Sequence, residues 1–181
     1  MADEHSDDDA RERFERLAAE VVEPVRRFLA RRTDPDTAED VLAETLLVCW
    51  RRLDHVPEHA LPWVYGVARN CLANVQRGDR RQVRLAARIT VVDPPQEAER
   101  EPDPPDPRVA AVLAVMRPEE ADLLRLWAWE QLGPGEIAEV LGITPNAASI
   151  RLHRARGKFL EELRKIDDAA GHEGVREGRE P

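Results

Sequence analysis

Apolar residues recur along this chain at intervals of three and four, the spacing that gathers them on one side of a helix turning about 100° per residue. Leu42, Leu46, Cys49 and Leu53 form one such set and predict a helix from near Thr37 to about Leu53, with Thr37 and Asp40 at the spacing of a capping box. An earlier helix is predicted over Arg11 to Arg32, bent at Pro24, because an interior proline lacks the backbone donor and crowds the preceding turn. A third runs from Pro62 or Trp63 to about Gln76, with Val64, Ala68, Cys71, Leu72 and Val75 on its apolar side, after a broken stretch from Asp54 to Leu61. Further on, Pro118 suits the first position of a helix reaching about Glu130, and two shorter helices follow. The strand-like run Ile89 to Val92 is too short to imply a sheet, so the expected fold class is all-α.

Between the third and fourth helices the periodicity disappears. Residues Asp93 to Pro107 include six prolines set among acids, with almost nothing apolar to bury, and read as a linker. Fifteen residues of extended, proline-rich chain reach about 45 Å, the length of about 13 base pairs. The expected organisation is therefore two small helical domains, residues 10–92 and 108–166, joined by this tether and flanked by acidic, disordered tails at 1–9 and 167–181.

Composition agrees with helices: 42% of the residues are apolar but only 4% are aromatic. The net charge of −9 argues at first against a nucleic-acid partner, until its location is considered. Residues 1–9 carry −5, 93–106 carry −5 and 167–181 carry −3, which leaves the two domains together at +4, with a dense basic stretch from Arg77 to Arg88. Met1 to Asp9 is acidic where a signal peptide would be basic and then apolar, and no apolar run approaches the roughly 18 residues of a bilayer span. A cytoplasmic protein without membrane insertion is expected. Cys49 and Cys71 fall at helical core positions and read as buried free thiols. The sequence has no glycine-rich phosphate loop and no cysteine pair at zinc spacing, and Pro57 separates His55 from His59. Neither an enzyme, a cofactor nor a metal site is expected.

Three helical faces carry the functional argument. Asp40, Glu44, Leu47 and Arg51 lie nearly opposite the apolar side of the second helix, a charged stripe with a leucine in it that suits docking to another protein, or an ordinary solvated face. On the third helix Trp63, Asn70, Asn74 and Arg77 line up on a face of their own, offering carboxamides for base edges and an indole for stacking, or a polar surface with a packing tryptophan. The most specific pattern runs from Leu132 to Arg156. Ile137, Ala138 and Leu141 would face inward from one helix, Gly142 would supply the turn, and Thr144 and Pro145 would cap and open the next. That second helix buries Ala148, Leu152, Ala155 and Phe159 and leaves Asn146, Ser149, Arg151, His153, Arg154 and Lys158 outward, as a major-groove recognition helix requires.

Together, the stretches Glu39 to Trp50, Pro62 to Asn70, Glu136 to Gly142 and Arg151 to Arg156 resemble extracytoplasmic-function sigma factors over roughly residues 11–166. The resemblance implies that Asp40, Glu44, Leu47 and Arg51 dock on the clamp coiled coil of core RNA polymerase, whose flap is a second contact. It also implies that Asn70 and Asn74 line a pocket for a flipped base of the minus-ten element beside Trp63, with Arg77, Arg80 and Arg81 on the DNA backbone. The helix-turn-helix would read the minus-thirty-five element of promoter DNA, and an anti-sigma factor is a further partner that the resemblance admits. Two departures bear on specificity: Ser149 and Ile150 stand where relatives commonly have a basic and then a small polar residue, and Asn74 stands where many have an acid. Two rival readings differ in class: a stand-alone regulator with a sensing or dimerising domain, and an adaptor that keeps the fold without using DNA.

Overall fold

The computed structural model describes the backbone of residues 2–86 and 106–176, with side chains over 8–78 and 106–168. Among the described residues every regular element is helical: α1 (Ala2–Ala30), α2 (Pro35–Arg51), a single 3-10 turn at Leu53–His55, α3 (Ala60–Ala86), α4 (Pro107–Val115), α5 (Pro118–Ala128), α6 (Pro134–Leu141) and α7 (Pro145–Arg176). The chain divides into two compact units, one built on α1, α2 and α3, the other on α4, α5, α7 and most of α6. The expected linker up to residue 105, the run Ile89 to Val92 and the end of the basic stretch at Arg88 lie outside the described residues, whereas the linker's last two residues, Asp106 and Pro107, belong to the start of a helix.

In the first unit α1, α2 and α3 pack pairwise against one another. Val21, Val25, Phe28 and Leu29 of α1 meet Val41, Leu42 and Cys49 of α2 and Val64, Tyr65 and Ala68 of α3 in a core from which water is almost fully excluded. The rings of Phe28 and Tyr65 lie 5.0 Å apart across it. The buried Thr45 hydroxyl would be costly there without a partner, and it donates to the Val41 carbonyl at 2.7 Å. Burial pushes the Cys49 thiol up to about 11 and raises that of Cys71 as well, so both free thiols stay protonated at neutral pH and are poor nucleophiles.

Several boundaries differ from those expected. Helix α1 is continuous through Pro24 and its backbone reaches back to Ala2, through the acidic segment expected as a disordered tail. The N-cap of α2 is Asp34, not Thr37: its carboxylate accepts the Thr37 backbone N–H at 2.9 Å, and Pro35 follows where a missing N–H costs nothing. The buried side of α2 is turned toward Ala38, Val41 and Thr45, which leaves Leu46 half-buried. Helix α3 runs ten residues past Gln76, and Val75 is exposed.

In the second unit α4 and α5 each pack on α7. Helix α4 was not expected; Asp106 caps it by accepting the Arg108 N–H at 2.9 Å, and Pro107 opens it. The Arg108 guanidinium also grips the Asp106 carboxylate at 2.6 Å and reaches Asp167 of α7 at 3.1 Å, which holds the Asp106 carboxyl below the usual carboxylate range. Far from being a short element, α7 extends to Arg176 through most of the segment expected as a second disordered tail.

The Asp34 cap generates a test of the first unit. Hydrogen bonds from Thr37 hold the Asp34 carboxyl below its ordinary value, so its contribution is complete above an unfolded pKa near 4 and fades as pH falls through the lower, folded value. Asp34→Ala should cost about 1 kcal/mol in urea unfolding at pH 7, and the gap between variant and parent should close in acid.

Candidate nucleic-acid and docking interfaces

The seam that α2 buries decides what it shows. Asp40, Glu44, Leu47 and Arg51 are all exposed, Leu47 to 40%, which is high for a leucine in the middle of a helix. Pattern reading missed Trp50, 41% exposed beside this stripe, its ring edge-on to Phe14 of α1 at 5.2 Å. A tryptophan one residue from the stripe and outside the apolar set was the available signal. Glu39, next to the stripe, is taken by Arg26 of α1 at 2.8 Å and is not free in the same way.

On α3 the four residues expected to share a face differ in exposure: Trp63 is half-buried, while Asn70, Asn74 and Arg77 are exposed. They spread along about 21 Å of helix at 1.5 Å per residue. Arg77 donates to the Asn74 side-chain oxygen, so that oxygen is already engaged within the helix while the amide group keeps its donor hydrogens. Arg80 and Arg81 lie on the helical backbone of α3, but their side chains fall outside the described residues. Pro62 is buried in the first turn of the helix, just before Trp63.

The second unit holds a helix-turn-helix. Gly133 precedes α6, and its N–H donates to the Glu136 carboxylate at 2.7 Å, one arm of a capping box that Glu136, three residues on, makes legible in the sequence. The helix closes with a Schellman turn: Ile143 N–H reaches the Ala138 carbonyl at 3.0 Å, Gly142 N–H reaches Glu139 at 3.3 Å, and Gly142 has φ of +64°. A side chain at that φ would be strained, which is why glycine stands there. The Thr144 hydroxyl then accepts the Ala147 N–H at 3.2 Å, and Pro145 opens α7. Ile137, Ala138, Ala148, Leu152 and Ala155 are buried, whereas Leu141 and Phe159 are half-buried.

With that seam inward, Asn146, Ser149, Arg151, His153, Arg154 and Lys158 are all exposed. They are not equivalent. Lys158 lies on the flank and pairs with Glu120 of α5, tying two helices together, a role that requires knowing which helix packs alongside. Arg156 leans over the Trp127 ring at 4.5 Å, on the side of an apolar groove of about 240 Å³ that includes Leu113, Phe159 and Leu160. Ile150 also faces outward, 44% exposed, and its angular position was the signal for it.

Among the described residues no three His, Cys, Asp or Glu side chains gather as metal ligands would, and no helix is long and apolar enough to cross a membrane. The family model for region 4 of sigma-70 matches residues 108–159. The RNA polymerase sigma factor CarQ of Myxococcus xanthus is 30% identical over 167 residues, an alignment covering 88% of this chain and 94% of that protein. The probable RNA polymerase sigma factor RfaY of Xanthomonas campestris pv. campestris is 28% identical over 144 residues, 75% of this chain and 36% of its own length. Among solved structures, the sigma factor RpoE in complex with the anti-sigma factor NepR from Bartonella quintana superposes with a TM-score of 0.61 at 19% identity, covering 83% of this chain and 96% of that one. CnrH in complex with the cytosolic domain of CnrY gives 0.54 at 24% identity, covering 86% and 88%. At these identities the two structures speak for the fold.

The Lys158–Glu120 pair yields its own test. With Lys158 about half exposed, a double-mutant cycle between Lys158→Ala and Glu120→Ala should give a coupling of at most about 1 kcal/mol that vanishes in molar salt. Urea melts at low and high salt measure it; no coupling at low salt would return Lys158 to the set of free cations.

Proposed function

Since the chain belongs to the extracytoplasmic-function sigma factors, non-enzymatic subunits that direct bacterial RNA polymerase to promoters, we propose how its two units divide that work. Residues 10–92 form the unit that docks on core enzyme and opens DNA, 108–166 form the unit that reads duplex, and 93–107 tether them. The observation that carries this division is that on α2 and on α7 alike every residue assigned to contact is outward while the opposite seam is buried.

Asp40, Glu44, Leu47 and Arg51 bind the clamp of the largest polymerase subunit: Leu47 supplies apolar area and the three charges fix register. Trp63, Asn70 and Asn74 receive a base flipped out of the minus-ten element, while Arg77, Arg80 and Arg81 neutralise phosphates. Unstacking that base costs a few kcal/mol, which the carboxamide hydrogen bonds and the indole must offset. Asn146, Ser149, Arg151, His153 and Arg154 enter the major groove of the minus-thirty-five element, with Lys158 at the edge, and the same unit meets the polymerase flap. An anti-sigma factor is a further partner, as NepR is for RpoE. The site of action is the cytoplasm, without membrane insertion. Family membership displaces the stand-alone regulator and the adaptor as readings of the chain.

Purified chain mixed with core polymerase should form a stable complex and start transcription at defined promoters. Leu47→Asp should weaken that complex at least about tenfold without altering helical content, because Leu47 contributes little to the core of the unit. Co-elution and run-off transcription decide it; unchanged assembly by the variant would move the docking surface elsewhere. Asn70→Ala should slow promoter opening about tenfold, the loss of one well-made hydrogen bond to a base, and leave binding to closed duplex nearly intact. Permanganate reactivity against filter binding separates the two, and equal losses would argue against a base pocket.

A further inference from the structure

Once Ala148, Leu152 and Ala155 are buried, the line diametrically opposite them on α7 is fixed, and at about 100° per residue Ile150 lies within about 15° of it. Asn146, Ile150, His153 and Gly157 form the ridge along that line. Two of these are polar and one has no side chain, so Ile150 is the apolar projection of the ridge, 44% exposed between Asn146 and His153 with Arg154 alongside. The other strongly exposed apolar residues of this unit, Val115, Trp127 and Leu160, lie on α4, α5 or past the recognition half of α7, and Trp127 and Leu160 border the apolar groove. Ile150 is no part of that groove. A β-branched residue there adds nothing to the core and is slightly worse for the helix than alanine.

A base pair meets such a side chain with apolar surface in one place in the major groove, the 5-methyl of thymine. We propose that Ile150 is a specificity-determining residue of the recognition helix and selects thymine in the upstream promoter element by packing on that methyl group. This rests on α7 being the recognition helix and goes beyond it by naming a base and the atom read. Asn146 and His153, on either side along the ridge, would hydrogen-bond to neighbouring base edges and keep the isoleucine in register. Burying one methyl group against a branched side chain corresponds to a discrimination of about fourfold per site.

Deoxyuridine tests this directly, because it keeps every hydrogen-bonding group of thymidine and lacks only the methyl. Promoter duplexes selected by the full chain with core polymerase from a randomised library would be remade with deoxyuridine replacing thymidine at one upstream position at a time. The expected result is one position at which parent holoenzyme binds the substituted duplex about fourfold more weakly, while Ile150→Ala holoenzyme binds thymidine and deoxyuridine duplexes alike. Ile150→Ala should also keep its melting temperature, since the side chain lies outside the core. If no upstream position responds to methyl loss while Arg154→Ala still abolishes preference for the upstream element, the proposal for Ile150 is overturned and the recognition helix stands. If Arg154→Ala and Asn146→Ala leave that preference unchanged as well, α7 does not read this element and both fall.

Discussion

Burial of one seam on each helix constrains everything else this chain presents. A helix has a fixed angular step, so when Ala148, Leu152 and Ala155 go inward, Asn146, Ile150 and His153 have nowhere to go but out. The same holds on α2, where burying Val41, Leu42, Thr45 and Cys49 sets Asp40, Glu44 and Leu47 against solvent. Most of these outward residues need no interaction of their own to be positioned, Lys158 on Glu120 being an exception. The rest are displayed by the packing of residues on the far side of the helix.

Proline does more in this chain than interrupt it. Pro35, Pro107, Pro118, Pro134 and Pro145 each open a helix, at the position where the missing N–H would have had no intrahelical partner. Local caps then fix where the helix begins: Asp34 before Pro35, Asp106 before Pro107, Thr144 before Pro145. Pro24 is the exception, inside α1, where it withdraws one backbone hydrogen bond from a helix whose buried residues on both sides hold it together.

What the sequence revealed follows from the range of the forces involved. The helix-turn-helix was legible because its signals are local: Gly142 at the turn, Thr144 and Pro145 at the next helix, and an apolar residue every third or fourth position after them. Helix α4 was not, because Val109 to Val115 is almost continuously apolar and carries no period, and it follows a run of prolines that reads as linker. The length of α7 was hidden for the opposite reason. Beyond Leu160 its pattern is mostly charged, and support comes from pairs such as Lys165 with Glu162 at 2.7 Å and from Arg108 reaching Asp167. The assigned surface residues of α2 and of the first part of α7 could be read from angle alone. The engagement of Lys158 by Glu120 could not, since it depends on a residue 38 positions away on another helix.

Charge finally limits what the recognition helix can do alone. Of the basic residues in its first four turns, Lys158 is paired with Glu120 and Arg156 is stacked on Trp127, which leaves Arg151 and Arg154 as the exposed permanent positive charges of that stretch. Two phosphate contacts release few counterions: at about −0.9 per contact, affinity through them falls by roughly tenfold between 50 and 200 mM salt, against the thousandfold or more typical of proteins that hold DNA unaided. A stretch so lightly charged can discriminate sequences but cannot by itself retain a duplex against competition. Retention must then come from outside this stretch of helix. A net charge of −9 is compatible with membership of a sigma-factor family on these terms, because sequence discrimination by a few exposed side chains does not need a strong attractive field of the whole chain.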